Sequence, residues 1–283
     1  MLTSLDHFVI AVRDLDAATA TYSGLLGRAP SWRGDHPGAG TANTLFRLDR
    51  TYAELLSPIG AGAHADALRA HLDEHGEGAY AIAFGTGDAD ACAAALRQRG
   101  LTTSAPADGR GRDRSTGNQR EWRTVFISAA DTRGVPLFAI EHRSPPDALP
   151  AAVAAEEGAA VSGVDHAVIM TGDAEAACAL YRDKLGLRLA FDRTFEERRV
   201  RLLFFRIGGV TVELAAPLGA AADVDGRDRF WGISWRVPDI DAARARLSAA
   251  GFDVSEVRPG NKSGTRVCTV RRETHGVATL LIA

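Results

Sequence analysis

Two histidine–glutamate pairs occur in this sequence at the same spacing. His7 in LDHFVIAV precedes Glu54 in YAELLSP by 47 residues, and His166 in VDHAVIMT precedes Glu213 in VTVELAAP by the same interval. A neutral imidazole and a carboxylate on one concave surface suit a divalent metal such as Zn, Fe, Mn, Co or Ni. The same two groups also make a satisfied hydrogen-bonded pair in a core without metal. The spacing leaves both readings open.

Strand parity decides whether the two members of each pair can meet. In LDHFVIAV, His7 lies on the face opposite Phe8, whose bulk suits packing beneath a helix. If the first and last strands of each unit are neighbours, His7 stands beside Glu54, and His166 stands beside Glu213. In that position Glu54 and Glu213 serve either as metal ligands or as general bases.

These pairs belong to longer internal repeats. Shifted by 159 positions, the first unit matches later residues at several sites, including Asp6 with Asp165 and Gly27 with Gly186. A second shift, of 151 positions, aligns AIAFGTGDADACAAALRQRGL with GISWRVPDIDAARARLSAAGF. The chain therefore consists of four modules in the order A–B–A′–B′.

Each module is predicted to fold as a βαβββ unit. An apolar run comes first, an Asp follows where a helix N-cap belongs, and an Ala-rich amphipathic helix then ends at a Gly. In the A and A′ modules, three strand-like runs come next. We expect one domain over residues 1–143, a Pro- and Ala-rich linker over 144–161 and a second domain over 162–283. The polar stretch 107–121 is predicted to be a loop, either a solvated surface segment or a lid.

Four βαβββ modules with LDH on the first strand and ELL or ELA on the last resemble the vicinal oxygen chelate superfamily. That group includes glyoxalase I, extradiol dioxygenases, fosfomycin and bleomycin resistance proteins and methylmalonyl-CoA epimerase. The stretch HPGAGTANTLF followed by YAELLSP is similar to a glyoxalase-like subgroup. The resemblance covers nearly the whole chain and implies an α+β fold, with two cupped mixed β-sheets and helices on the outer faces. It also implies His7 and Glu54 as metal ligands in one cup, and His166 and Glu213 in the other.

The B and B′ modules depart from the superfamily pattern. The positions where they should supply ligands hold Ala81 and Phe138 in one module, and Gly232 and Leu280 in the other. None of these side chains binds metal, so each cup keeps only two of the implied ligands. The ligand pattern of the extradiol dioxygenases, which places iron in the third and fourth modules, is also missing here.

Four further residues are candidate substrate contacts. His36, Thr41 and Asn43 lie in or beside the second and third strands of module A, which should border the first cup, and Trp235 gives module B′ an aromatic wall. The alternatives are a surface loop for His36, ordinary turn and strand-edge chemistry for Thr41 and Asn43, and core packing for Trp235.

Composition excludes several classes of function. The chain has 283 residues, 46% of them hydrophobic, and a net charge of −3, which gives no electrostatic case for nucleic acid or anionic membrane. No apolar run is long enough to span a bilayer, and the N-terminus lacks the pattern of a signal peptide. Three cysteines without paired spacing fit a reducing cytoplasm. The duplication imitates a dimer of shorter ancestors, so we expect a monomer or a homodimer.

The predicted function is enzymatic. A divalent metal would chelate two adjacent oxygens of a small hydroxycarbonyl, 1,2-dicarbonyl or catechol-like substrate and stabilise an enolate-like intermediate, in a lyase or isomerase reaction. One alternative is a protein without a cofactor that sequesters a small molecule, as bleomycin resistance proteins do. The other is an extradiol-type dioxygenase with atypical ligands. A third ligand near His7 and Glu54 would favour the enzyme, whereas a His7 bonded only to protein would favour the binding protein.

Overall fold

The first half of the chain forms a closed eight-stranded sheet. The computed structural model describes residues 1–36, 38–219 and 226–283. The strands of the first half are β1 (Leu2–Ala11), β2 (Trp32–His36), β3 (Thr41–Arg47), β4 (Tyr52–Pro58), β5 (Gly78–Thr86), β6 (Ala107–Asp113), β7 (Gln119–Phe126) and β8 (Leu137–His142). They are ordered β1-β4-β3-β2-β6-β7-β8-β5, with β5 returning to β1. Strands β1 to β4 are thus one module, and β5 to β8 are its partner.

The second half forms an open sheet of the same plan. Its strands are β9 (Gly163–Met170), β10 (Arg188–Phe195), β11 (Val200–Ile207), β12 (Val210–Pro217), β13 (Arg229–Arg236), β14 (Arg258–Pro259), β15 (Arg266–Val270) and β16 (Ala278–Ile282). They are ordered β10-β11-β12-β9-β13-β16-β15-β14. Two mixed sheets with duplicated modules confirm the predicted α+β class.

Five α-helices accompany the sheets in the described parts of the chain. They are α1 (Leu15–Leu26), α2 (Ala63–His75), α3 (Ala89–Gln98), α4 (Ala174–Cys178) and α5 (Ile240–Ala249), and a π-helical segment, Ala179–Lys184, continues α4. The predicted Asp N-caps are confirmed: Asp14, for example, accepts hydrogen bonds from the backbone N–H groups of Asp16 and Ala17. Gly27 ends α1 with φ at 67°, a left-handed conformation in which glycine costs least. None of these helices is long and apolar enough to cross a membrane.

The stretch predicted to be a loop is a β-hairpin that closes the first cup. Strands β6 and β7 pair antiparallel from Ala107 and Thr124 to Arg112 and Gln119, and Asp35 of β2 pairs with Arg112 of β6. The reason for the wrong prediction lies in the glycines. A Cβ at Gly109 would lie 2.3 Å from Nε1 of the Trp122 indole, so the glycine content reflects close packing of an aromatic ring rather than a flexible loop.

Helices α1 and α3 lie on the convex side of the first sheet, whereas α2 borders the cup with Ala63, His64 and Leu68. Phe8, Ile10 and Phe84 join residues of α1 and α3 in the main hydrophobic core. This core is continuous between the two halves, where the rings of Phe8 and Phe230 lie 5.8 Å apart. The Tyr22 hydroxyl donates to the Thr274 carbonyl across the same boundary.

Residues 144–161, predicted as a linker, pack against the first half. A short 3₁₀ turn covers Pro146–Ala148, and Arg47 donates hydrogen bonds to the carbonyls of Pro146 and Leu149. Leu149 also packs beside Trp32 at the base of the first cup. The predicted domain boundaries themselves stay predictions.

Candidate functional site

The concave side of the first sheet encloses a cavity of about 1120 Å³. Strand alternation gives it a polar wall and an apolar wall. His36, Thr41, Asn43 and Glu54 lie on the polar side, and Trp122 and Phe138 on the aromatic side. Pockets of this size and mixed lining are typical of small-molecule sites.

His7 is held at both ring nitrogens by carboxylates. Nδ1 lies 2.8 Å from Oδ1 of Asp6, and Nε2 lies 3.3 Å from Oε2 of Glu54. The ring stacks on Tyr52 with centroids 4.4 Å apart, and the Phe138 ring meets it edge-on at 5.5 Å. Burial lowers the pKa of His7, but its hydrogen bonds to the carboxylates of Asp6 and Glu54 outweigh burial and raise that pKa above 6.5. His7 is therefore suited to carry a proton near neutral pH.

The pKa of Glu54 is shifted in the opposite direction, downward. Burial raises its pKa, but hydrogen bonds and charge from His7, together with Asn43, lower that pKa below 4.5. The Asn43 amide donates to Oε1 of Glu54 at 2.7 Å. Parallel pairing of β1 with β4 sets Phe8 against Ala53 and Val9 against Glu54, which is why the two side chains meet across neighbouring strands. Glu54 is thus an ionised carboxylate beside an imidazole whose raised pKa favours the protonated form.

His36 and Thr41 extend this network along the polar wall. Burial lowers the pKa of His36, so its ring is neutral. Nε2 of His36 lies 3.1 Å from the Asn43 amide nitrogen, and Nδ1 lies 2.9 Å from the Thr41 hydroxyl. The amide therefore donates to Nε2, and Nδ1–H donates to Thr41. His36 reaches Glu54 through Asn43 rather than directly.

The predicted residues of the first cup come together, and Trp235 does not join a cup. Trp235 is fully buried in the core on the convex face of β13. Its neighbour Ser234 faces the cup instead, with Oγ 2.8 Å from Nε2 of His166. Because side chains alternate along a strand, Ser234 and Trp235 point to opposite faces. The prediction of Trp235 as a substrate contact is therefore corrected to core packing.

Sequence reasoning missed three residues of the first cup: Asp6, Tyr52 and Arg120. Asp6 bridges His7 and His142, whose Nε2 lies 2.9 Å from Oδ2, and these contacts outweigh burial to lower the pKa of Asp6. The signal for Asp6 was its recurrence as Asp165, and the signal for Tyr52 was its shared strand face with Glu54. Arg120 has no such signal, because the sequence predicts a loop where the structure has strand β7.

The second cup repeats the histidine–glutamate pair in a different setting. Nδ1 of His166 lies 2.9 Å from Oδ2 of Asp165, and Nε2 lies 3.3 Å from Oε2 of Glu213. Here burial outweighs the nearby charge and raises the pKa of Glu213 above 4.5. The hydrogen bond from His166 lowers the pKa of Asp165 to about 2. The carboxylate of Glu213 is therefore less favoured in its charged form than that of Glu54.

Apolar side chains line the second cup where the first has its polar wall. Under the shift of 159 positions, His36, Thr41 and Asn43 correspond to Phe195, Val200 and Leu202. The structure has the same register: Asn43 pairs with Leu56 in one sheet, and Leu202 pairs with Ala215 in the other. These apolar replacements pack with their neighbours in a hydrophobic cluster, whose members include Val168, Phe191 and Phe204. The residue types therefore favour the first cup as the small-molecule site.

The donor set of either cup falls short of a metal site. In residues 1–36, 38–219 and 226–283, no three His, Cys, Asp or Glu side chains are arranged to hold a metal ion. The Asp6–His7 contact is of the kind that orients a ligating histidine. Catalytic zinc sites nevertheless use three protein ligands, and His7 with Glu54 supplies two. The predicted ligand pairs are adjacent in both cups, but they do not fit a resident divalent ion.

Comparison with known proteins gives two family matches. Residues 5–163 match the model of the glyoxalase-like domain, and residues 165–269 match that of the glyoxalase/bleomycin resistance protein/dioxygenase superfamily. A curated relative is ethylmalonyl-CoA/methylmalonyl-CoA epimerase from Cereibacter sphaeroides. It is 32% identical over 100 residues, which are 33% of this chain and 75% of that protein.

Two solved structures share the fold over nearly the full chain. A mutant of 4-hydroxymandelate synthase from Streptomyces coelicolor has a TM-score of 0.73 at 15% identity, covering 100% of this chain and 93% of that one. A hypothetical protein from Staphylococcus aureus has a TM-score of 0.65 at 11% identity, covering 98% of each chain. At these identities the likeness is one of fold.

Proposed function

Because this chain belongs to the glyoxalase/bleomycin resistance protein/dioxygenase superfamily, we propose that its first cup is an active site for proton transfer. The substrate is a small molecule that carries a carbonyl oxygen next to a C–H bond, and the reaction is of the isomerase or lyase type. The observation that carries the proposal is the Asp6–His7–Glu54 chain, which opens into a cavity of about 1120 Å³.

Environment assigns the two roles in this chain of groups. A pair of titratable groups whose pKa values are pushed apart provides an acid and a base. The lowered pKa of Glu54 keeps it ionised as the base, and the raised pKa of His7 keeps it protonated as the acid. At 3.3 Å, the His7–Glu54 contact is longer than a normal hydrogen bond, so a substrate oxygen can compete for Nε2–H of His7.

The proposed reaction moves one proton and one electron pair. Glu54 takes the proton from the carbon next to the carbonyl, and the electrons of the broken C–H bond form a C=C bond. The carbonyl oxygen gains negative charge, which Nε2–H of His7 stabilises by donating a hydrogen bond. Returning the proton to either face gives isomerisation, and loss of a leaving group gives elimination.

The second cup is proposed to be structural. It keeps His166 and Glu213, but Leu202 replaces the donor that Asn43 gives to Glu54. Ser234 supplies His166 with a hydrogen-bond partner inside the protein. A duplicated unit whose concave face carries apolar side chains still contributes to the core.

The curated relative supports the choice of reaction class. Its name describes an epimerase, and epimerisation at a carbon that bears hydrogen requires removal and return of a proton. The relative's CoA thioesters therefore join hydroxycarbonyl and 1,2-dicarbonyl compounds in the substrate panel for this chain.

Deuterium exchange tests the proposal. Wild type, Glu54→Gln and Glu213→Gln would be incubated in D₂O with 2-methylacyl-CoA thioesters, 2-hydroxyketones and 2-oxo acids. Mass spectrometry would measure deuterium incorporation above the rate without protein. We expect exchange in the wild type, its retention in Glu213→Gln and a loss of at least about 100-fold in Glu54→Gln, the scale of a general base. Equal activity in all three proteins would rule out Glu54 as the base.

Metal dependence is tested on the same samples. We expect exchange to survive chelator treatment, because the two donors of the first cup do not fit a resident ion. Plasma mass spectrometry of wild type, His7→Ala/Glu54→Ala and His166→Ala/Glu213→Ala would report bound metal. Stoichiometric metal that is lost only with His7 and Glu54 would restore the metalloenzyme account.

Sequestration of a small molecule without catalysis is the second candidate. It is favoured by the engagement of both ring nitrogens of His7 with protein carboxylates, and by the aromatic wall that includes Trp122 and Phe138. Saturable binding of a panel compound, with no deuterium exchange at any pH, would select this function over the enzyme.

A further inference from the structure

Arg120 is a buried cation on the inner wall of the first cup. It lies on β7, where Arg120, Trp122, Thr124 and Phe126 alternate toward the cavity. Only 7% of Arg120 is exposed to solvent. In the described part of the chain, no carboxylate oxygen comes within the 4.0 Å of an ion pair with its guanidinium. A buried charge without an opposite charge is costly, so natural proteins rarely keep one without a function.

Aromatic rings hold the guanidinium in place. Its central carbon lies 5.7 Å from the ring centroids of both Trp32 and Tyr52, within the range of cation–π attraction. Burial raises the pKa of Tyr52 well above 10, so the phenol is neutral and supplies no counter-charge to Arg120.

Arg120 lies close to the proposed acid–base pair of the first cup. Tyr52, which contacts Arg120, also stacks on His7 with ring centroids 4.4 Å apart. The guanidinium therefore lies one aromatic ring away from the acid of the proposed acid–base pair. A substrate group bound at Arg120 and a reacting carbon at Glu54 fit within one cavity.

Arg123, on the opposite face of the same strand, is paired with carboxylates. Arg123 points away from the cup, with Nη1 2.6 Å from Oδ2 of Asp90 and Nε 3.6 Å from Oδ1 of Asp108. Arg120, three residues earlier and far more buried, has neither kind of partner. The difference sets Arg120 apart as a buried guanidinium that, in the described part of the chain, has no direct carboxylate partner.

We propose that the first cup takes a substrate with an oxyanion, a carboxylate or a phosphate, that binds the Arg120 guanidinium. The apolar part of the substrate lies on the aromatic wall formed by Trp122 and Phe138. A guanidinium presents parallel N–H donors that match the oxygens of either anion. This inference rests on the proposed function in placing the substrate in the first cup, and it adds the chemical class of that substrate.

Paired probes test the inference by isothermal titration calorimetry. Benzoylformate and its neutral methyl ester share an aromatic 2-oxo body, and phenyl phosphate tests the phosphate alternative. We expect the wild type to bind one anion at least about tenfold more tightly than the ester, the scale of a charge-assisted hydrogen bond. Arg120→Met should bring this preference to within about threefold of unity, because it keeps an apolar stem and removes the charge.

Matched variants separate charge at this position from charge in general. Arg123→Met removes the same charge from the opposite face of β7 and should leave the preference intact. Arg120→Lys keeps a cation and should retain part of the preference, which covers the case that Arg120→Met does not fold. Urea unfolding of Arg120→Met serves as the folding control, because this variant loses the cation–π contacts with Trp32 and Tyr52 but breaks no ion pair.

The outcomes distinguish this inference from the proposed function. Preference for an anion that Arg120→Met abolishes supports the inference, even if no substrate exchanges deuterium. Exchange that depends on Glu54, without any such preference, supports the function and overturns the inference. Absence of saturable binding of both anions to the wild type, or equal preference in wild type and Arg120→Met, would also overturn it.

Discussion

Neutralising the two duplicated glutamates should change stability in opposite directions. The perturbations are Glu54→Gln and Glu213→Gln, which keep shape and remove charge. Glu54 accepts a hydrogen bond from Asn43 at 2.7 Å and faces His7 at 3.3 Å, whereas burial is the main influence on the pKa of Glu213. The fold therefore favours the charged form of the first carboxyl and disfavours that of the second.

The magnitude follows from these contacts. Hydrogen bonds to charged groups contribute about 1.5–3 kcal/mol, and neutral ones about 0.5–1.5 kcal/mol. Glu54 is only 7% exposed, so solvent screens its contacts little. Glu54→Gln should thus lower the free energy of unfolding by about 1–2 kcal/mol at pH 7. Glu213→Gln should leave that free energy unchanged or raise it by up to about 1 kcal/mol.

The two glutamates should also differ in how their contributions to the free energy of unfolding change with pH. The pKa of Glu54 is lower in the folded chain than its ordinary 4.5, so its stabilising contribution is present above pH 4.5 and is lost as pH falls through the lowered value. The pKa of Glu213 is raised, so its destabilising contribution is absent below pH 4.5 and appears as pH rises through the raised value.

Urea unfolding of wild type and both variants, at pH 7 and at steps from pH 4.5 downward, measures these differences. The difference between wild type and Glu54→Gln should persist from pH 7 to pH 4.5 and shrink only below pH 4.5. Equal losses in the two variants, or a Glu54→Gln protein as stable as the wild type at pH 7, would refute the assignment of different electrostatic settings to the two cups.

Three other predictions concern acid–base behaviour and the contact between the halves. The raised pKa of His7 predicts that the rate of deuterium exchange falls as pH rises through that pKa, above 6.5. The His7→Gln variant should lack this fall at high pH. If its pH profile is the same as that of the wild type, His7 is not the acid. Asn43→Leu copies the second cup and removes a donor from Glu54, so exchange at pH 7 should fall at least about tenfold with unchanged circular dichroism; full activity would show that the donor is dispensable. Arg133→Met leaves the fully buried Asp228 side chain without its ion-pair partner, which lies 3.1 Å away. The free energy of unfolding measured in urea should fall by about 3 kcal/mol. A loss below about 0.5 kcal/mol would show that this pair does not stabilise the contact between the two halves.

The sequence predicts the adjacency of the site residues because the repeat carries that information. An interval of 47 residues that recurs across a helix and several turns requires the same fold in both copies. Strand parity then assigns His7 and Glu54 to one face, and the pairing of β1 with β4 brings them together. The roles of the two residues as ligands or as base stay predictions, since adjacency alone serves either.

The hairpin that closes the first cup could not be predicted in the same way. Gly109 and Gly111 lower the strand propensity of β6. In the structure the Trp122 indole lies against both positions, where a larger residue would leave less room for the ring. That contact joins two strands and cannot be seen in a local pattern. Missing the hairpin also hid Arg120, whose importance depends on which charges surround it in space.

Trp235 is a different kind of error, because the signal was available in the sequence. The shift of 151 positions aligns Ile82 with Ile233 and Ala83 with Ser234, so Trp235 falls on the face of Phe84, which is a core face. The aromatic residue types of module B′ favour an aromatic wall of the cup, whereas strand parity predicts that Trp235 packs in the core. The single-residue alternation of a strand is more informative here than residue type.

A crystal structure of the wild type with benzoylformate tests the central claim most directly. The account predicts the ligand in the first cup, with its carboxylate hydrogen-bonded to Arg120, its ring on Trp122 and its keto oxygen toward His7. The second cup should remain filled by its own apolar side chains, Leu202 among them. Ligand bound in the second cup, or bound in the first with its carboxylate turned away from Arg120, would contradict the account.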